Sequence, residues 1–456
     1  MPVMTLTLTT PLSTPKGSPL LGNMAEVKRD FLGALTRWHQ EHGDLVPFRL
    51  GPKRFYLINH PALAEEVLVK QQENFIKSYN PKRPRGLMLV LGNGLVTSKG
   101  PLWQKQRRMM QPMFARSQIA AMTPIITRAV DELLDEWRQH DATQPLEITA
   151  EMMRLTLEII TRTMFSVSVK EEIPRLAPAF DEGLLFAQRN FFNPLALPLW
   201  MPTAGNRRFK RAKALLDGTI RNIIKQRQQS NAHHSDLLAL LLNSRDEESG
   251  EGMSEAQIID EVLTIFTAGH ETTANALSWS FYLLSQHPHV VTKLHNELTA
   301  VLNGRAPTFD DLTSLPYTRA VLEESLRLYP PAVSLLRLTA NETTLAGHTI
   351  PKGALMLANI RNIHRHPKLW PQPHTFDPER FMPENRENIP RLAFMPFGIG
   401  PRVCIGNQLA LTEGMLVLAR IAQHFELKLL ENHPVEEQLN ITLRPKHGLM
   451  MKVKAR

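Results

Sequence analysis

Between residues 254 and 286 the chain carries apolar side chains at three-and-four spacing, with Val262, Ile265, Phe266, Gly269 and Thr272 on one face. Ser254 and Gln257 make a capping-box pattern at its start, and His287-Pro288 supplies the stop. At about 1.5 Å per residue such a helix is roughly 50 Å long, enough to cross a whole domain. It predicts a central beam on which other elements must pack. Residues 119–139, 151–166 and 208–229 repeat the same period, and a further helix is expected over about 405–424. Residues 45–50 and 54–58, broken by Gly51-Pro52, read as a hairpin, and 355–360 as a strand. Polar stretches at 231–235 and 245–252 read as loops. The expectation is a mainly α fold with a minor β region. Length alone suggests about three domains, but no linker, repeat or low-complexity block appears, so one large domain over 1–456 is expected.

The formal net charge is +9. The basic clusters at 82–85, 105–108 and 207–213 are short and scattered, which fits solvated helix faces and not a nucleic-acid surface. Part of the excess also suits an acidic protein partner, where opposite fields speed encounter. Residues 1–17 are rich in Thr and Pro and lack the apolar core of a signal peptide. Nowhere do about 18 apolar residues run uninterrupted, so no membrane span is expected. A single cysteine cannot form an internal disulfide, which fits a reducing compartment. A soluble cytoplasmic protein is expected.

That cysteine lies in Phe397-Gly398-Ile399-Gly400-Pro401-Arg402-Val403-Cys404-Ile405-Gly406. One reading is a buried, inert thiol beside a glycine turn. The other uses the context. Gly398 and Gly400 remove side chains, so backbone can approach a flat ligand closely. A helix starting after Cys404 aims unpaired N–H groups and its positive dipole end at the sulfur, which favours the thiolate. A thiolate held this way can bind haem iron and push electron density toward bound oxygen.

The run resembles the cysteine-ligand signature of the cytochrome P-450 family, Phe-x-x-Gly-x-x-x-Cys-x-Gly, and fits it without a gap. The resemblance implies the P-450 fold, a single large domain with a long helix over the haem. It makes Cys404 the proximal ligand of haem b (iron protoporphyrin IX), with Phe397 packed near the sulfur, Arg402 paired with a propionate and Gly406 closing the signature. Glu324-Ser325-Leu326-Arg327 resembles the family's Glu-x-x-Arg helix, and Phe376-Asp377-Pro378-Glu379-Arg380-Phe381 its later Pro-x-Arg segment. Glu324 and Arg327 share a helix face, and Arg380 completes a charge triad that we assign to folding. Trp103 and Arg107 resemble the family's Trp-x-x-x-Arg, and an indole N–H and a guanidinium both suit propionates. Arg337 is a third candidate for that task.

Ala268-Gly269-His270-Glu271-Thr272-Thr273 falls in the middle of the long helix. A glycine there costs about 1 kcal/mol relative to alanine. Either it serves a small-residue helix contact, or Thr272 bonds back to the Ala268 carbonyl and opens a groove for oxygen and water. The segment resembles the family's acid–alcohol pair, which implies that Glu271 relays protons from solvent and Thr272 holds the water that delivers them. His270 is expected to be an exposed or packing residue and not a ligand. A haem-thiolate sensor or carrier would keep the cysteine loop without needing this pair, and a purely structural helical protein would bind no haem. Both alternatives stay open at this level.

By position in the family, the pocket draws on Leu89, Ile265, Ala268, Val333, Leu336 and Leu449, apolar residues that imply a lipophilic substrate. The same residues also suit a core. Residues 191–202 are apolar for a loop and suit an entrance lid, while Arg83 and Arg85 are candidates to anchor a carboxylate. Fatty acid, terpenoid and steroid remain undistinguished. The stretch after Cys404 is shorter than a flavin or iron–sulfur domain of about 100 residues. The family reading therefore expects O2 as co-substrate and electrons from a separate protein, with a ferredoxin and its reductase favoured over a diflavin reductase, and a monomer.

Overall fold

The computed structural model describes residues 11–192, 196–230, 234–243, 245 and 250–456. The chain divides into two compact units, residues 1–78 with 323–404, and residues 79–322 with 405–456. Parts of the Thr- and Pro-rich stretch 1–17, of the lid candidate 191–202 and of the polar loops 231–235 and 245–252 lie outside the described residues.

The first unit is built on a sheet of five strands in the spatial order Leu45–Leu50, Lys53–Ile58, Leu355–Asn359, Ser334–Thr339 and Phe75–Ile76. The expected hairpin forms, with Leu45 opposite Ile58 and Gly51 at φ +58° in the turn. Its second strand pairs in parallel with Leu355–Asn359. Alternate residues feed two cores: Tyr56 and Ile58 face one cluster with Met356 and Ala358, and Phe55 and Leu57 face another with Leu355 and Leu357. Both faces of these strands are covered, which is why they read as continuous apolar runs rather than alternating ones.

The charge triad also belongs to this unit. Arg327 donates through Nε and Nη2 to the two Glu324 oxygens at 2.6 and 2.7 Å, and both side chains are fully buried. Arg380 Nε lies 3.5 Å from Glu324. Arg327 spends its remaining donors on the carbonyls of His364, Pro373 and Thr375. Each buried charge is thus paired and hydrogen-bonded, the condition under which such burial is tolerable.

The second unit is mainly helical. The long helix runs Glu255–Gln286, 32 residues, with the Ser254 hydroxyl accepting from the Gln257 N–H at 3.3 Å. It packs against helices Ile148–Phe165, Ala204–Gln229 and Asn407–His424, so within this unit it is the beam the period predicts. Gly269 permits a close helix crossing: a Cβ there would stand 2.7 Å from Ile160 Cδ1. Thr156 Oγ1 donates to the His270 carbonyl at 3.0 Å and ties the same two helices. A short antiparallel pair, Glu437–Leu439 with Leu443–Pro445, lies beside the beam, which donates from Trp279 Nε1 to the Leu443 carbonyl at 3.2 Å. Among the described residues no helix is long and apolar enough to cross a membrane.

Candidate active site

In the first unit, the cysteine loop is held by a chain of hydrogen bonds that starts at the charge triad. Arg327 binds the His364 carbonyl; His364 Nε2 accepts from the Met395 N–H at 2.8 Å; Gly398 N–H reaches the Met395 carbonyl at 3.0 Å. Burial pushes His364 down to about 3, so its ring is neutral and can act as that acceptor. The loop then folds back, with Cys404 N–H donating to the Phe397 carbonyl at 2.9 Å and the thiol exposed.

Gly398 and Gly400 take φ of +72° and +75°, a conformation other residues resist. The close approach Gly400 permits is to the chain itself: an added Cβ would sit 2.7 Å from the Leu68 carbonyl oxygen. The first task of this glycine is therefore to shape the loop, not to admit a ligand.

Two predicted anion partners of this unit, Arg337 and Arg402, come together with a third cation that no motif announced. Lys77 is held well below the ordinary lysine range by burial and then by Arg337 and Arg402. Arg402 is itself pushed down to about 10 by burial and by Arg337. Arg337 and Arg402 thus both act on Lys77, and Arg337 on Arg402, a group matched to a multiply negative partner such as the two carboxylates of haem.

In the second unit, Trp103 and Arg107 lie four apart on helix Gly100–Met110 and line one cavity of about 750 Å³ together with Phe114. Gly406 belongs to the same neighbourhood, 3.6 Å by its virtual Cβ from the Phe114 ring. It precedes helix Asn407–His424 and offers no side chain to cap the first N–H groups.

On the long helix, residues 261–267 and 273–281 are buried, apart from solvent, whereas Ala268 is exposed and Thr272 partly so. Thr272 Oγ1 donates to the Ala268 carbonyl at 2.6 Å. Gly269 is a packing contact, and on another face Ala268 and Thr272 interrupt the buried stretch as an exposed notch. His270 is a packing residue, buried against the Phe180 ring at 5.1 Å, with Nδ1 donating to the Phe266 carbonyl. Glu271 is only 4% exposed and accepts from Thr442 Oγ1 at 2.5 Å. Burial pushes its carboxyl up to about 7, against the opposing Thr442 hydrogen bond.

Of the pocket candidates, Leu89 and Ala268 keep exposed surface, Ile265 and Val333 are buried, Leu449 is fully buried, and Leu336 packs into the sheet core. Arg83 and Arg85 are exposed.

The first unit thus carries an exposed thiol on a hydrogen-bonded loop with cations suited to carboxylates, and the second a long helix whose mid-section holds an acid and an alcohol. The chain belongs to the cytochrome P450 family, whose model matches residues 12–453. It is similar to cyclooctat-9-en-7-ol 5-monooxygenase of Streptomyces melanosporofaciens, at 39% identity over 91% of this chain and 89% of that protein. It is also similar to cyclooctatin synthase of the same organism, at 36% identity over 94% and 93%, and to pentalenene oxygenase of Streptomyces avermitilis, at 33% over 97% of each. The protein is a haem-binding cytochrome P450 monooxygenase that acts on a lipophilic substrate with O2 and electrons from a redox partner.

Proposed function

We propose that the protein hydroxylates or epoxidises a terpenoid, with Cys404 as the iron ligand. The similarity to terpenoid oxygenases of Streptomyces supports terpenoid over fatty acid and steroid. Haem, when bound, supplies the iron at which O2 is activated for insertion of one oxygen atom. Cys404 would hold that iron through its Sγ, and Arg337, Arg402, Trp103 and Arg107, with Lys77, would hold the propionates. The Thr272 hydroxyl anchors water in the notch, and Glu271 takes up and gives back a proton at its carboxyl. Proton delivery by a placed group is typically worth 10²–10⁴-fold. Leu89, Ile265, Ala268 and Val333 offer the apolar lining, with Leu336 and Leu449 supporting it.

The observation that carries this reading is the exposed notch in an otherwise buried stretch of helix, with Thr272 bonded to the Ala268 carbonyl. We assign the electron supply to a ferredoxin with its reductase, whose acidic surface suits the net charge of +9. The working form is a cytoplasmic monomer acting as one catalytic domain. The test is a panel of cyclic terpenes and terpene alcohols, incubated with NAD(P)H, a ferredoxin and its reductase. An oxygenated terpene is the expected product; neither product nor any spin-state shift across the panel would overturn the assignment.

A further inference from the structure

We infer that Thr442 is a positioning residue for Glu271, fixing the orientation in which that carboxyl exchanges its proton. This rests on the reading of Glu271 as a proton carrier and adds a residue that lies outside the cysteine, acid–alcohol and charge-triad motifs.

A buried acid must find a hydrogen-bond partner or lose several kcal/mol of solvation. Glu271 finds Thr442, whose Oγ1 donates to Oε1 at 2.5 Å. Thr442 is itself buried and receives Asn275 Nδ2 at 2.9 Å, from one turn further along the same helix. A hydroxyl has a single proton, and a donor seated on its oxygen leaves that proton for the remaining acceptor. Asn275 therefore sets the direction of the bond, and Thr442 presents its proton to the Glu271 carboxylate.

The carrier of Thr442 is equally fixed. The residue sits in the turn between strands Glu437–Leu439 and Leu443–Pro445, closed by Asn440 N–H on the Thr442 carbonyl at 3.1 Å. Trp279 pins the next residue's carbonyl to the long helix. The charged groups that face Glu271 are Arg444, which favours its ionised form, and Asp181, which opposes it. These two pair with each other at 3.0 Å, so their fields partly cancel. His270, on the same helix, is held neutral by burial. The nearest control over the Glu271 proton is thus the Thr442 hydroxyl.

The test uses the haem-loaded protein and two readouts. Infrared difference spectra across pH follow the protonated-carboxyl band, assigned by its loss in Glu271→Gln. Substrate-free NAD(P)H oxidation, driven by a ferredoxin and its reductase, gives a pH profile. In the wild type both should break near pH 7, where the carboxyl titrates. Thr442→Val removes a donor to the carboxylate, so band and break should both move up by about one unit. Thr442→Ser should restore both, and Thr442→Ala should give the valine result if valine does not fold. If Glu271→Gln removes the break while Thr442→Val leaves band and break in place, Thr442 only closes its turn and the inference fails alone. If Glu271→Gln leaves the break unchanged, the proton-carrier reading fails and the inference falls with it.

Discussion

Replacing Gly269 by alanine sets two effects of opposite sign against each other. Helix propensity favours alanine by about 1 kcal/mol at an interior position. Against this, the new methyl would stand 2.7 and 2.8 Å from Ile160 Cδ1 and Cγ1, far inside the 3.5–4.0 Å optimum for carbon pairs. Ile160 is 2% exposed and lies on a helix, where a β-branched side chain has little rotamer freedom. The helices resist parting because Thr156 bonds the His270 carbonyl across the same crossing. Overpacking of this kind costs about 1–3 kcal/mol, so Gly269→Ala should destabilise by about 1 kcal/mol net. Ile160→Ala removes both clashing atoms, leaving the nearest at 3.6 Å. Alone it should cost about 2–5 kcal/mol, and in the Gly269→Ala background at least about 1 kcal/mol less. Urea unfolding followed by circular dichroism, with unchanged slopes, reads both. A stabilised Gly269→Ala protein with no coupling to Ile160 would refute the packing argument.

Other outcomes follow from the site. Thr272→Ala should fold and bind haem yet lower product per NAD(P)H several-fold, with the balance as hydrogen peroxide, while buried Thr273→Ala keeps its coupling; equal coupling in both would reduce Thr272 to packing. Lys77→Met removes an amine whose charge burial, Arg337 and Arg402 disfavour, so it should raise the melting temperature of haem-free protein and speed haem transfer to apomyoglobin; unchanged transfer would remove Lys77 from the propionate set. Glu413 is buried and pushed up to about 8 from 4.5. Its folded form therefore holds a proton that the unfolded chain loses above about 4.5, and the stability this brings fades as pH rises through 8. Glu413→Gln should flatten the pH dependence of urea stability between those values, by up to about 5 kcal/mol for a shift of that size; a slope unchanged by the substitution would contradict the burial argument.

What the sequence discloses is what local pattern can carry. The beam, its Ser254 cap and the 45–58 hairpin repeat or punctuate within a few residues, and each appears where periodicity and turn chemistry put it. The parallel pairing of Lys53–Ile58 with Leu355–Asn359 does not, because nothing local encodes a partner so distant in the chain. Strand alternation also sends Leu335 and Leu336 to opposite cores, which a pocket assignment by position does not foresee. At the site, the glycines around Cys404 and the residues of the beam were legible as a run. Lys77 and Thr442 were not: each is a single ordinary residue that gains meaning only from Arg337, Arg402 or Glu271 brought beside it in the fold.

The central claim is that the Cys404 thiolate binds haem iron, and the absorption spectrum of the reduced carbon-monoxide complex tests it most directly. Because Cys404 is the single cysteine of the chain, no second thiol can substitute for it. The wild-type complex should show the strongly red-shifted Soret band of thiolate-ligated haem, and Cys404→Ser should lose it. A wild-type spectrum without that shift, or a shift that survives in Cys404→Ser, would contradict the account.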